Sequence, residues 1–235
     1  MKPLNLGSMM NQNHLIEIIQ ATKIYHRGEN QVVALDHLDL KVSRGEFLAI
    51  MGKSGCGKST LINILGGLDS PDQGQVMING EDITKMDDRR LTLFRRDRVG
   101  IIFQFFNLLP ILSLEENIVL PHLLREGSNT NEAKIDRLLR EVDLYERRNH
   151  KPHELSGGEL QRAAICRALI NDPEIILADE PTGNLDSASG KQILKILRKL
   201  KEEQGKTVLL VTHSQEGEAM ADRVLRMRDG KLLPM

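Results

Sequence analysis

The stretch Phe47-Leu-Ala-Ile-Met-Gly52-Lys-Ser-Gly-Cys-Gly57-Lys58-Ser59-Thr-Leu-Ile-Asn-Ile-Leu65 decides how this chain folds. Phe47 to Met51 is an unbroken apolar run that reads as a buried strand, and Thr60 to Leu65 reads as the start of a helix. Between them, Gly52 to Ser59 fits G-x-x-x-x-G-K-[ST], a phosphate-binding loop that requires a strand before it and a helix after it. Glycines let the backbone curl so that successive N–H groups point at one anion. The helix adds its free N–H groups and the positive end of its dipole. The pattern therefore predicts that Gly52, Lys53, Ser54, Gly55, Cys56, Gly57, Lys58, Ser59 and Thr60 wrap the phosphates of a nucleotide. Lys58 is expected to reach the β- and γ-phosphates, and the Ser59 hydroxyl to ligate Mg²⁺. A dinucleotide loop fits less well, because Thr60 stands where the third glycine of that fingerprint belongs.

The 235 residues suffice for one substantial domain, and 40% apolar with 28% charged residues is ordinary for a globular protein. Lys and Arg total 32 against 33 Asp and Glu, a net charge of -1, so nothing demands a nucleic acid or an anionic membrane as partner. No apolar run approaches the ~20 residues of a membrane span, and no signal peptide is evident. The expectation is a protein in the cytoplasm, or one that reaches a membrane through a partner. Arg95-Arg96 and Arg147-Arg148 read as solvated surface. Two cysteines cannot build a four-thiolate zinc site or a disulfide framework. Cys166 falls at helical spacing with apolar neighbours and reads as core. Cys56, inside the phosphate loop at a helix N-terminus, reads as a thiol that bound nucleotide would shield. His150 and His153 have too few neighbouring ligands for a metal site.

Residues 1–13 are polar and aperiodic, and are read as a disordered extension, an upstream start or a cloning remnant, with a single domain over 14–235. Leu15 to Ile19 reads as a strand, and Leu35, Leu38, Leu40 and Val42 suggest a second. Leu68 to Gly74 is turn chemistry, followed by a short strand closed at Gly80. Val99 to Phe103 is another strand. Leu114 to Leu144 is largely helical, interrupted at Gly127 to Thr130, where Asn129 or Thr130 would cap the second helix. Strands and helices then alternate: Glu174–Ala178, Ala188–Leu200, Thr207–Val211 and Gln215–Ala221. A hairpin signal follows at Asp229-Gly230. This alternation argues an α/β sheet covered on both faces, with a helical block from about Leu108 to Ile170 inserted between two strands.

Ile175 to Asp179 is an apolar strand ending in two carboxylates, Asp179 and Glu180. Open α/β sheets bind ligands at strand ends, and phosphoryl transfer needs its metal held from a second element. Asp179 is expected to hold Mg²⁺ through water, and Glu180 to polarise a water against the γ-phosphate. Leu155-Ser-Gly-Gly-Glu159 precedes another helix. Ser156 and Glu159 fit a capping box, and Ser-Gly-Gly at a helix start is also a second place to bind phosphate. Two such loops and one nucleotide per chain suggest a dimer in which each loop closes on the other subunit's nucleotide.

In motif order and spacing, the chain from Leu15 to Leu233 resembles the nucleotide-binding subunit of an ABC transporter. The matching stretches are the phosphate loop Gly52–Ser59, Gln104, the signature Leu155–Glu159, Ile175–Asp179, Glu180, Asn184-Leu-Asp186 and His213. The resemblance implies an α/β fold: a P-loop NTPase core sheet, an N-terminal antiparallel β subdomain and an inserted α-helical signature subdomain at roughly 105–170. It implies that Tyr25 stacks on adenine, that Gln104 touches Mg²⁺ and the attacking water, and that His213 contacts the γ-phosphate. Asp186 would couple the two sites of a dimer, and Ser156, Gly157, Gly158 and Glu159 would meet the partner's ATP. Singly, Tyr25 fits a core, Gln104 and Asp186 fit loops, and His213 fits a helix-capping neighbour. Only their joint placement raises them. Glu159 departs from the Gln that often ends the signature. Its charge argues that this position is not itself a phosphate ligand.

Phe103 to Pro110, Glu115 to Asn117 with Pro121, and Asp179 to Asp186 look like the subfamily of LolD, MacB and FtsE ATPases. That likeness implies MgATP hydrolysis powering a separate integral membrane permease, of export or lipoprotein-release type. It implies a homodimer formed on ATP, no nucleic-acid partner, and a place on the cytoplasmic face of the inner membrane. The competing reading is a soluble ABC ATPase acting on DNA or ribosomes. DNA-repair members carry a long coiled coil and translation members two ATPase cassettes, whereas this chain has no heptad run between Gly52–Ser59 and the signature and a single G-x-x-x-x-G-K-[ST] loop. A nucleotide sensor without turnover ranks last, since every catalytic-type residue is present. Phe105 to Pro110 is unusually apolar for a loop, and reads either as the permease-docking surface or as packing of the helical block.

Overall fold

The computed structural model describes residues 14–28, 30–126 and 132–233. The segment 1–13 and the interruption at Gly127 to Thr130, with its cap, lie outside the described residues.

The run Phe47–Met51 is a strand, β3, buried along its whole length. It lies inside a six-stranded sheet of order β10-β9-β3-β8-β7-β6. The others are β6 (Val99–Ile102), β7 (Ile175–Asp179), β8 (Thr207–Thr212), β9 (Arg223–Arg228) and β10 (Lys231–Leu232). All pairings are parallel except the β9–β10 hairpin. Ala49 pairs with Leu210, and Leu177 with Leu209, so the central strands are in full register. Successive side chains of a strand point to opposite faces, and here they enter two different cores. Leu48, Ile50, Leu177, Leu209 and Val211 face one apolar cluster, while Phe47, Ile176, Ala178, Val208 and Leu210 face the other. A sheet buried on both sides needs apolar residues at every position, which is why these strands read as unbroken runs.

The first core is closed by helix α1 (Lys58–Leu65) and a four-stranded antiparallel sheet of order β2-β1-β4-β5. Its strands are β1 (His14–Arg27), β2 (Asn30–Ser43), β4 (Gln73–Ile78) and β5 (Glu81–Asp82). β1 and β2 run well past their buried apolar residues: His26 on β1 and residues 30–33 at the start of β2 are exposed, Val32 and Val33 among them. The second core is closed by α3 (Leu114–Glu126), α4 (Glu132–Glu141), α5 (Gly157–Leu169) and α6 (Ser187–Gln204), with the short α7 (Gln215–Ala219) at its margin. Burying each Leu or Ile of these faces contributes about 1.5–3 kcal/mol.

Three expectations change. Helix α2 (Asp88–Arg98) has no counterpart in the sequence reading, because only Phe94 in it is buried and its five arginines mask the periodicity. The arginine pairs are not simply solvated. Arg148 clamps Glu115 and Asp136, which raises its pKa further above neutrality, and Arg95 donates to the Gly67 carbonyl at 2.7 Å. The third change concerns Cys56 and belongs to the site.

Candidate active site

Parallel strands place their C-terminal ends along one edge, and that edge collects the predicted residues. The phosphate loop follows β3, His213 follows β8, Asp179 ends β7 with Glu180 beside it, and Gln104 follows β6. Helix α1 begins at Lys58 with Gly57 as its N-cap, which supplies no side chain to cap the first turn. The first turn of a helix has no intrahelical acceptors for its N–H groups, so those of Lys58, Ser59 and Thr60 face an anion position at the positive end of the dipole. Gly57 has φ 107°, and a Cβ there would sit 2.2 Å from the Ala34 carbonyl oxygen, so no other residue fits.

Lys58 is buried and curls back into the loop, donating to the carbonyls of Gly52 at 2.9 Å and Lys53 at 3.0 Å. Its ammonium lies 3.4 Å from Glu180 Oε1. The other Glu180 oxygen is hydrogen-bonded to His213 Nδ1. Glu180 therefore stands between the two groups expected to meet a γ-phosphate. Its backbone is left-handed, φ 47°, a conformation that costs a non-glycine residue about 1–3 kcal/mol. It is held there by its N–H donating to the Val211 carbonyl of β8 at 2.9 Å.

Asp179 lies close enough to the Ser59 hydroxyl to feel it, and its Oδ1 is buried with no hydrogen-bond partner. Burial pushes its pKa up, the Ser59 hydroxyl opposes this, and the Glu180 charge adds to the rise. A buried orphan carboxylate oxygen beside a hydroxyl is the donor set of a hard dication. Among the described residues no cluster of three or more His, Cys, Asp or Glu could hold a metal. That pairing fits Mg²⁺, which keeps waters and substrate phosphates as its remaining ligands. Gln104 reaches the same edge, its amide nitrogen 3.0 Å from where a Cβ on Gly183 would lie. No hydrogen bond joins that amide to Ser59, Asp179 or Glu180 among the described residues.

Ser156 caps α5, and the capping box is complete. The Ser156 N–H and hydroxyl donate to Glu159 Oε2 at 2.8 and 2.7 Å, and the Glu159 N–H returns to Ser156 Oγ. These bonds hold the Glu159 carboxyl below the usual carboxylate range, and Arg147 lies 3.7 Å from its other oxygen. The capping box expected of Ser156 and Glu159 is therefore present, with the Glu159 side chain turned to the cap. The nearest neighbours of Gly157 and Gly158 are Leu185, Asn184, Phe106, Ser189 and Arg162, none of them in the phosphate loop. Asp186 caps α6 through the N–H groups of Ala188 and Ser189, both at 3.0 Å, a cap typically worth ~1 kcal/mol.

Cys56 departs from its reading as an accessible thiol. It is buried, and its sulfur sits 2.6 Å from where a Gly52 Cβ would be, turned inward beside Met227. Burial pushes the Cys166 thiol up to about 12. Thiol labelling of the native protein is therefore expected to be slow at both cysteines and to accelerate only on unfolding. Rapid native labelling of Cys56 would contradict the inward placement.

Tyr25 lies on β1, 38% exposed as a residue, with its hydroxyl donating to Asp69 Oδ2 at 2.7 Å. The sequence reading missed Asp69 and Arg167, which holds the Phe106 carbonyl at 2.8 Å, and it named Asn184 within a motif without its partner, the Gln104 carbonyl, to which its amide donates at 3.1 Å. These partners are 44 to 80 residues apart, and no local signal marks them.

The family model described as ABC transporter matches residues 35–183. An uncharacterized ABC transporter ATP-binding protein of Methanocaldococcus jannaschii, MJ0796, is 46% identical over 223 residues, covering 93% of this chain and 95% of that one. A macrolide export ATP-binding/permease protein, MacB, of Bdellovibrio bacteriovorus is 48% identical over 216 residues, which span 92% of this chain but 33% of that protein. The dimeric structure of MJ0796 in a post-hydrolysis state bound to ADP and Pi superimposes with a TM-score of 0.88 at 43% identity, covering 93% of this chain and 97% of that one.

Proposed function

The chain belongs to the ABC transporter ATP-binding family and is the ATPase subunit of a transporter; from that premise we propose that two copies share two MgATP sites and drive a separate membrane permease. The observation that carries this reading is the separation of two phosphate-type loops in one chain. Gly52–Ser59 lies at the sheet edge, and Ser156–Gly158 packs against Asn184, Leu185 and Ser189 with no nucleotide loop beside it. A second copy, turned head to tail, supplies the missing half. The relative that superimposes on this chain is itself dimeric.

In the proposed reaction Glu180 takes the proton of the attacking water, and His213 orients the Glu180 carboxylate through the hydrogen bond already present. Lys58 exchanges its carbonyl partners for β- and γ-phosphate oxygens, and the partner copy's Ser156 loop adds donors to the same charge. Ser59 directly and Asp179 through water would hold Mg²⁺, with Gln104 approaching from the β6 side. The ion, when bound, neutralises charge on the β- and γ-oxygens. Tyr25 provides the platform for adenine, and Asp186, at the cap of α6 beside the signature loop, lies where it can pass contact from one site to the other.

Replacing Ser156 by Arg places a bulky side chain where the partner's γ-phosphate would bind. The variant is expected to keep nucleotide binding by the monomer and to lose the ATP-dependent dimer in size-exclusion chromatography. An unchanged ATP-dependent dimer would refute the shared site.

For the permease we read the segment after Gln104. Phe105 and Ile111 are 70% and 77% exposed and Leu109 is 43% exposed, three large apolar side chains turned to solvent within one loop, as at a partner surface. No helix among the described residues is long and apolar enough to cross a membrane. In this reading the subunit lies on the cytoplasmic face, attached through the permease. Leu109→Asp is expected to leave basal ATPase activity in place and abolish stimulation by the co-purified membrane protein. Loss of folding instead would show that this loop only packs the helical block.

A further inference from the structure

The turn after α1 does more than reverse the chain. Leu68 and Asp69 both donate their N–H groups to the Asn63 carbonyl, at 2.8 and 3.3 Å, which ties the turn to the end of α1. The Asp72 N–H then donates to the Thr22 carbonyl at 2.8 Å, and Asp72 Oδ2 accepts the Ile24 N–H at 2.6 Å, which ties it to β1. Between these anchors Asp69 Oδ2 accepts the Tyr25 hydroxyl at 2.7 Å, while Oδ1 accepts Lys23 Nζ at 2.7 Å and the Ser70 N–H at 2.7 Å. Lys23 also donates to the Ser70 carbonyl at 2.8 Å, and its ammonium stands over the Tyr25 ring 5.3 Å from the centroid. The Lys23 side chain is only 12% exposed.

We propose that Asp69, held in place by Lys23, is a positioning residue for the adenine of ATP, acting through Tyr25; this rests on the reading that Tyr25 stacks on the base. A half-exposed tyrosine at a strand end has several rotamers open to it. A hydrogen bond at the far tip of the ring to an ionised acceptor selects one of them, and charge-assisted bonds are the stronger kind. Asp69 stays ionised: burial raises its pKa, but the Lys23 and Tyr25 hydrogen bonds outweigh that and hold it below the usual carboxylate range. With Lys23 over one face of the ring, the opposite face is the one left to a base. The same helix that begins at Lys58 and Ser59 ends in the turn that fixes Tyr25, so base platform and phosphate loop keep one spacing. Ordering the ring before ATP arrives removes a cost that binding would otherwise carry.

The test uses the full chain, which has no tryptophan and two tyrosines. In a Tyr145→Phe background, Tyr25 emission reports on stacking, and ATP is expected to quench it. Adding Asp69→Asn should weaken MgATP binding about three- to tenfold, the range for ordering one side chain. The same change should appear in KM while kcat holds, and binding of Mg²⁺ tripolyphosphate, which has no base, should be unchanged. In a Tyr25→Ala background, Asp69→Asn should have no further effect on ATP. Tyr25→Phe cuts the same bond from the other end and should reproduce the loss, which keeps the test intact if Asp69→Asn fails to fold. If ATP does not quench Tyr25, the stacking reading falls and the proposal with it. If quenching is seen but Asp69→Asn and Tyr25→Phe bind ATP normally, the positioning role alone is overturned. Equal losses for ATP and tripolyphosphate would overturn it too, since Asp69 would then be supporting α1 rather than the base.

Discussion

Replacing Glu180 by Gln is expected to slow ATP turnover ~10²–10⁴-fold, the usual cost of losing a general base. The amide keeps the shape of the side chain and cannot take a proton from water. It also dissolves the 3.4 Å ion pair with Lys58 and alters the hydrogen bond with His213. Both cationic or donor groups are then freer to turn to a γ-phosphate, so ATP should bind the variant at least as well as it binds wild type. With hydrolysis blocked, ATP should hold two copies together. Size-exclusion chromatography should show monomer without nucleotide and dimer with ATP. A Glu180→Gln protein that turns over at the wild-type rate would remove Glu180 from the role of base, and one that stays monomeric in saturating ATP would refute the site shared between two copies.

Lys58→Ala should abolish the thermal stabilisation that MgATP gives. Ligand at about 100 times its dissociation constant stabilises a protein by roughly 2.7 kcal/mol. The loss should be nearly complete, because Lys58 is the buried cation of the loop and its contacts to phosphate oxygens are charge-assisted. Its partners in this structure are two carbonyls of the loop itself, Gly52 and Lys53, so truncation leaves no buried carboxylate stranded apart from Glu180, which retains His213. The fold should therefore survive, with a far-UV spectrum like that of wild type. An undiminished MgATP shift in Lys58→Ala would count against Gly52–Ser59 as the nucleotide site.

The phosphate loop, the β7 carboxylates and the Ser156 cap are legible in the sequence for one reason. Each is a contiguous stretch whose chemistry is set by residues within eight positions, where backbone geometry and side-chain spacing are local properties. β3, β7 and β8 stand out because burial on both faces admits only apolar residues, and α6 because its apolar positions recur at helical spacing. The antiparallel sheet follows from the family resemblance more than from the residues, since β1 and β2 run well past their buried apolar parts.

Other features are decided only by the tertiary structure. Helix α2 is held by one buried phenylalanine, too little for a periodic signal. The inward turn of Cys56 depends on Met227, which reaches it from β9. The meeting of Lys58, Glu180 and His213 requires β3, β8 and β7 to lie side by side in an order that no single segment encodes. The bond from Tyr25 to Asp69 spans 44 residues, and the turn that makes it looks in sequence like any other turn. What a residue is next to along the chain can be read from the chain. What it faces across a sheet edge is settled by the strand order, which follows from how all the apolar faces are buried at once.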